Sequence, residues 1–277
     1  MISMKIEELN ISYKNLMEDV DFYAEMFKEN KILCFRQLNL SFEEQLCVYY
    51  AFNEYLNLYP VENDRRSFRY DEDHSHVTNR TPNNKDDVLV PWHLEHAETV
   101  LAQCVGFWNM YKFTCGKENG RTAFVDSLDI LNLFTNEERD LLDKSMISSC
   151  KEGELDLKNK PVHYDTIDAM ASHPFLGIES LRVDCSNQQK LVLVANSEPW
   201  LDEIAIFDSI KEKVMENIEK NEKIRHYWEW SQGDLLIVDV FSLYHSVFGG
   251  FTSDQRQFTG LWSFENTDRI KKHYSLN

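Results

Sequence analysis

Apolar residues recur at helical spacing from Leu16 to Lys28, at Leu16, Met17, Val20, Phe22, Tyr23, Met26 and Phe27, and predict a helix there. Ile32-Leu33-Cys34-Phe35 is a short apolar run of the kind that forms a buried strand. Ser41-Phe42-Glu43-Glu44 is a capping-box pattern, and the apolar-rich stretch to Leu56 is the helix it opens. A second such box, Thr135-Asn136-Glu137-Glu138, predicts a helix through Leu142, and the stretch from Asp202 to Glu219 reads as a third long helix. Elsewhere the pattern changes. Val100–Thr114, Leu181–Val183, Lys190–Val194, Leu235–Val240 and Gln257–Phe264 are short, rich in Val, Ile, Phe, Trp and Tyr, and bounded by turn residues. Such segments are strands of a sandwich or barrel. Glu62–Asp87 is polar and reads as a long loop of the kind that borders a site.

These elements predict a mainly β core with helices outside it, in a single domain over residues 1–277: neither a Pro/Gly/Ser linker nor an internal repeat divides the chain. The composition narrows the function. With 29 Lys and Arg against 47 Asp and Glu, the formal charge is −18, which argues against nucleic acid or an anionic membrane as partner. The same charge could bias the chain towards neutral or cationic substrates, although it also serves solubility alone. The sequence has no apolar run long enough for a membrane span. Its N-terminus lacks the apolar core of a secretory signal. Its six cysteines form no C-x-x-C pair and read as reduced packing residues of a cytoplasmic protein. The expected partner is a small-molecule substrate, and a homo-oligomer is compatible with the chain.

Candidate chemistry centres on Pro91-Trp92-His93-Leu94-Glu95. In a strand, residues two apart share a face, so His93 and Glu95 would project together and offer an imidazole and a carboxylate to a divalent metal. A distant second histidine would complete a facial 2-His-1-carboxylate triad with open coordination positions. An isolated H-x-E triplet arises often by chance. Its weight here comes from the C-terminal half, where Gly233-Asp234 turns into the run Leu235–Asp239, followed by His245 and then by Arg256 at the start of the next strand.

This ordered set resembles the taurine dioxygenase/TfdA-like family of iron(II)/2-oxoglutarate oxygenases, including its clavaminate-synthase-like branch. The resemblance runs from Ile32–Leu38 and Ser41–Gln45 through Trp92–Glu95, Gly120–Phe124 and Ser172-His173-Pro174 to Gly233-Asp234, His245 and Arg256. It implies a double-stranded β-helix, or jelly roll, with Fe(II), 2-oxoglutarate and O₂ as cofactor and co-substrates. His93, Glu95 and His245 match the metal ligands and are the catalytic set. Arg256 and Thr122 match the residues that hold the far carboxylate of 2-oxoglutarate. The implied reaction couples decarboxylation of 2-oxoglutarate to hydroxylation of an unactivated C–H bond, with desaturation or oxidative rearrangement as alternatives. Two departures bear on the substrate. Glu95 stands where most relatives carry Asp, and halogenating relatives carry a small residue there, so halogenation is disfavoured. Gly260 stands where taurine-type enzymes carry a second arginine, so a sulfonate substrate is disfavoured. Glu at the carboxylate position, as in several amino-acid hydroxylases, points to an amino acid or amino-acid-derived metabolite.

Other residues carry weaker expectations. Asn79 and Trp92 are candidate substrate contacts, and Trp108 could wall the pocket. Arg65, Arg66 and Arg69 could meet a substrate carboxylate or remain solvated. His96 reads as a surface or packing residue, His173 as a turn stabiliser and Asp239 as a strand-end cap. Two functions of other classes stand against the oxygenase reading. A non-catalytic jelly-roll binding protein that holds a metal has no need of the Thr122 and Arg256 pair. A zinc hydrolase would lack H-E-x-x-H and leave Arg256 unexplained.

Overall fold

A computed structural model describes residues 4–61, 84–95, 103–155, 161–184, 189–193, 201–252, 254–268 and 270–271. In chain order the elements are β1 (Lys5–Leu9), α1 (Tyr13–Glu18), α2 (Val20–Asn30), β2 (Lys31–Phe35), α3 (Phe42–Leu56), β3 (Leu58–Pro60), β4 (Val88–His93), β5 (Gln103–Phe113) and β6 (Thr122–Asp126). There follow α4 (Ser127–Leu131), α5 (Asn136–Asp143), β7 (Ser145–Leu155), β8 (Pro161–Asp168), β9 (Met170–Ser172), β10 (Glu179–Leu181), β11 (Gln189–Leu193) and α6 (Leu201–Lys220). The last are β12 (His226–Trp228), β13 (Leu235–Asp239), β14 (Leu243–Phe248) and β15 (Arg256–Glu265).

Two sheets make the core. The larger has the order β1-β2-β13-β5-β15-β3 and the smaller β12-β6-β14-β4. Only the β1–β2 pairing of these is parallel; the rest are antiparallel. Residues of β2, β6 and β13 are buried throughout, because both faces of their sheets are covered. Between the sheets lie Ile32, Cys34, Trp108, Met110, Phe124, Leu236, Val238, Leu243 and Trp262. The outer face of the large sheet packs Leu33, Phe35, Phe107, Leu235 and Leu261 against Leu16, Tyr23, Phe27, Val48 and Phe52 of α1–α3. The outer face of the small sheet packs Trp92, Ala123, Val125 and Tyr244 against α4 and α6. The chain therefore alternates partners residue by residue along each strand, as the period of two requires.

Both predicted capping boxes form. Ser41 Oγ accepts from Glu44 N at 3.2 Å while Glu44 Oε2 accepts from Ser41 N at 2.8 Å, and Thr135 and Glu138 do the same. The helix expected over Leu16–Lys28 is two helices, broken at Asp19, whose backbone is non-helical (φ −125, ψ 33). Leu16, Val20, Tyr23 and Phe27 nevertheless meet one core, so the apolar spacing runs unbroken across the interruption. The strand expected over Leu181–Val183 lies earlier, at Glu179–Leu181, and that expected over Val100–Thr114 is Gln103–Phe113, with 100–102 outside the described residues. Asn79, Arg65, Arg66, Arg69 and His96 also lie outside the described residues, as does most of the Glu62–Asp87 segment.

Candidate active site

The register of β4 and β14 sets His93 directly opposite His245. Their rings lie 4.1 Å apart between centroids. Glu95 does not share the strand with His93, as the alternation argument supposed: β4 ends at His93 and Glu95 follows in a turn. The turn still returns the carboxylate to the histidines. Glu95 Oε2 is 3.2 Å from His245 Nε2 and 3.8 Å from His93 Nε2. One ligand atom from each of the three residues lies within 4.8 Å of the others. His93 Nδ1 is 2.8 Å from the Pro91 carbonyl, and His245 Nδ1 is 3.4 Å from that of Leu243. A carbonyl can only accept, so Nδ1 carries a proton in each ring, which leaves Nε2, the atom facing the cluster, as the one a metal would take. Two imidazoles and a carboxylate converging in this way fit a divalent transition metal, with room left for exogenous ligands.

Thr122 opens β6 and Arg256 opens β15, so the two reach the interior from opposite sheets. Arg256 Nη2 points at Thr122 Oγ1 from 3.5 Å. The guanidinium is buried among the rings of Phe258, Phe251 and Trp230, at 5.2, 5.3 and 5.8 Å. Its Nε has no hydrogen-bond partner, and no carboxylate of the described residues pairs with it. Desolvation lowers Arg256 to about 10, still charged at neutral pH. A buried charge without a counter-ion is costly unless a ligand supplies one. The site therefore fits an incoming carboxylate, which a guanidinium can hold through two parallel hydrogen bonds.

Trp92 is not brought to this cluster. It neighbours His93 in sequence, so the strand turns it to the outer face of the small sheet, where it meets Phe248 edge-on at 6.4 Å within the helix-side core. Trp108 takes the interior position instead, 5.4 Å from the His245 ring and stacked on Phe124. Gly260 and Gly106 explain how two indoles fit in one wall. Gly106 pairs with Trp262 and Gly260 with Trp108 across β5 and β15. A Cβ on Gly260 would stand 2.4 Å from Cη2 of Trp262, and one on Gly106 would stand 2.8 Å from Nε1 of Trp108. Each indole thus folds back over the glycine of its own strand, and no side chain fits at either glycine without displacing it. The sequence reading also missed Trp230, whose Nε1 donates to Thr122 Oγ1 at 2.9 Å. Its place just before Gly233-Asp234 was the available signal.

Behind the site, Asp239 ends β13 as expected of a strand cap. Its Oδ1 accepts from the backbone N–H groups of Phe241 and Ser242, both at 3.1 Å. The same oxygen faces His173 Nε2 at 3.0 Å, while His173 Nδ1 accepts from Phe175 N and Leu176 N. His173 therefore closes a turn, the role expected of it. Burial works to raise Asp239, but His173, Lys31 and the Ser242 hydroxyl overcome it and hold the carboxyl at about 2. Lys31 and Asp126 form a second buried pair, 2.7 Å apart, at the same end of the interior.

The sequence matches the model of the taurine catabolism dioxygenase TauD, TfdA family over residues 5–262. The chain belongs to the TauD/TfdA family. It is an Fe(II)- and 2-oxoglutarate-dependent dioxygenase, and the jelly roll and His-Glu-His cluster are those of that class. A comparison with the curated proteins by sequence found no match. Solved structures share the fold. AAD-2, crystallised with Mn(II) and N-oxalylglycine, is similar with a TM-score of 0.62 at 13% identity, over 97% of this chain and 96% of its own. A taurine dioxygenase from Burkholderia xenovorans is similar with a TM-score of 0.62 at 12% identity, over 95% and 87%. PvcB from Pseudomonas aeruginosa gives 0.59 at 13% identity, over 91% and 84%. Among the described residues, no helix is long and apolar enough to cross a membrane.

Proposed function

We propose that this dioxygenase hydroxylates an unactivated C–H bond of a small molecule, an amino acid or a metabolite derived from one. The observation that carries the reading is the pairing of two incomplete sites in one interior. His93, Glu95 and His245 converge with a ligand atom of each within 4.8 Å of the others, and Arg256 stands buried with no carboxylate of the described residues paired with it. In this reading the triad holds Fe(II), and Arg256 with Thr122 holds the far carboxylate of 2-oxoglutarate. Bound iron with 2-oxoglutarate supplies the activation of O₂.

The protein's own part is positional. Backbone carbonyls of Pro91 and Leu243 orient the imidazoles, and the aromatic wall of Trp108, Phe258 and Trp262 keeps the interior dry. The presence of Glu95, in place of a small residue, supports hydroxylation over halogenation. Gly260, roofed by the Trp262 ring, offers no second cation to a sulfonate. These two features support the amino-acid class.

Anaerobic addition of Fe(II) and then 2-oxoglutarate should produce a weak visible charge-transfer band, absent in His245→Ala. A wild-type protein with no band would refute the assignment of the two sites. Succinate release across an amino-acid panel, followed by product mass, then reads the reaction: gain of an oxygen supports hydroxylation, and loss of two hydrogens replaces it with desaturation.

A further inference from the structure

Thr122 sits where two N–H groups converge on one hydroxyl oxygen. Trp230 Nε1 donates to Oγ1 at 2.9 Å, and Arg256 Nη2 approaches the same oxygen at 3.5 Å. A threonine hydroxyl has two lone pairs and one proton. With both lone pairs taken by donors, the proton must point away from Trp230 and Arg256. Thr122 is buried, at 2% exposure, so its environment cannot supply water freely to receive that proton. Trp230 is itself 5% exposed and held edge-on by Trp228, so its N–H is fixed in direction. Its ring also closes one side of the aromatic enclosure around the Arg256 guanidinium.

We propose that Trp230 is a positioning residue for the co-substrate: its indole N–H fixes the rotamer of the Thr122 hydroxyl so that Thr122 donates to the same carboxylate that Arg256 binds. The inference rests on the assignment of Thr122 and Arg256 to 2-oxoglutarate. In this arrangement Trp230 acts through Thr122 and the walls of the enclosure. Without the indole donor, the hydroxyl can rotate and satisfy itself elsewhere, and the far carboxylate loses one of its aligned donors.

The test is the dissociation constant of 2-oxoglutarate from the Fe(II)-loaded protein without O₂, read from the visible band. Trp230→Phe keeps the ring and removes the donor. It should weaken 2-oxoglutarate by roughly tenfold, as expected for loss of one charge-assisted hydrogen bond. The same variant should leave 2-oxobutyrate unchanged, because that 2-oxo acid chelates a metal equally but has no far carboxylate. In a Thr122→Val background, Trp230→Phe should cost nothing further, since the residue through which it acts is gone. Equal weakening of both 2-oxo acids, or full additivity with Thr122→Val, would show a merely structural role and overturn the proposal. Should Trp230→Phe fold poorly, comparison of Thr122→Ser with Thr122→Val reads the same hydroxyl: equal 2-oxoglutarate affinity in these two would overturn it as well. Arg256→Met separates the two levels. If that variant also binds 2-oxoglutarate as tightly as wild type, the co-substrate assignment fails; if it loses binding while Trp230→Phe does not, the present inference alone fails.

Discussion

Replacing Arg256 by Met tests the claim that the buried guanidinium is there to receive a carboxylate. In the free protein the guanidinium is buried, its Nε is unpaired, and desolvation brings it from 12.5 down to about 10. At about 1.4 kcal/mol per unit, that depression corresponds to roughly 3 kcal/mol of destabilisation of the charged form relative to water. Contacts of the cation with Phe258, Phe251 and Trp230 offset part of it, by about 1 kcal/mol. Methionine has a similar reach and also packs favourably on aromatic rings, so it removes the charge while leaving little void. The ligand-free variant should thus be as stable as the wild type or more stable, by up to about 2 kcal/mol, or roughly 4–8 °C in melting temperature for a chain of this size. The wild type, loaded with Mn(II) to prevent turnover, should gain about 3 kcal/mol from 2-oxoglutarate at a hundred times its dissociation constant. Arg256→Met should gain almost none. Thermal melts with and without 2-oxoglutarate read both quantities. A variant that melts well below wild type yet keeps the 2-oxoglutarate shift would refute the reasoning, because Arg256 would then be an ordinary structural cation.

Other expectations follow from the same interior. Gly260→Ala should cost about 1–3 kcal/mol in chemical denaturation, since its Cβ would fall within van der Waals contact of the buried Trp262 ring, which would have to shift; a neutral result would mean that the wall is loosely packed. Lys31→Met should cost about 3–5 kcal/mol by stranding Asp126, and adding Asp126→Leu should recover most of it, leaving about 1 kcal/mol for the lost cap on Leu128 N. Asp239 is held at about 2, below the ordinary carboxylate value of about 3.9, so its contribution of roughly 2 kcal/mol is present above pH 4 and lost as pH falls towards 2. Asp239→Asn should flatten the acid limb of a stability–pH curve over that window, and an unchanged limb would contradict the assignment. Glu95→Gln should lose the charge-transfer band produced by Fe(II) and 2-oxoglutarate while its melting temperature falls little, because the residue lies in a turn beyond β4.

What the sequence determined by itself was local or strongly patterned. The capping boxes at Ser41 and Thr135 depend on residues three apart, and they formed as read. The buried run Leu235–Asp239 and the position of His245 and Arg256 after it were legible because an all-apolar strand between turn residues has few other outcomes. The ordered set His93, Glu95, His245 and Arg256 pointed to the chemistry through its resemblance to the taurine dioxygenase/TfdA-like family, because no single residue of it is specific. The tertiary structure decided which of them meet. Only the β4–β14 register sets His93 opposite His245, and a slip of one residue would have sent His245 to the outer face in place of Tyr244. Trp92 was indistinguishable from a pocket residue in sequence, and strand alternation sent it outward while Trp108, from another strand, took the interior place. The break at Asp19 was hidden because apolar spacing reports the face a chain buries, which the two helices share. The Trp230–Thr122 bond and the Lys31–Asp126 pair join residues about a hundred positions apart. Such contacts depend on how two sheets face each other, a long-range packing outcome that no local pattern encodes.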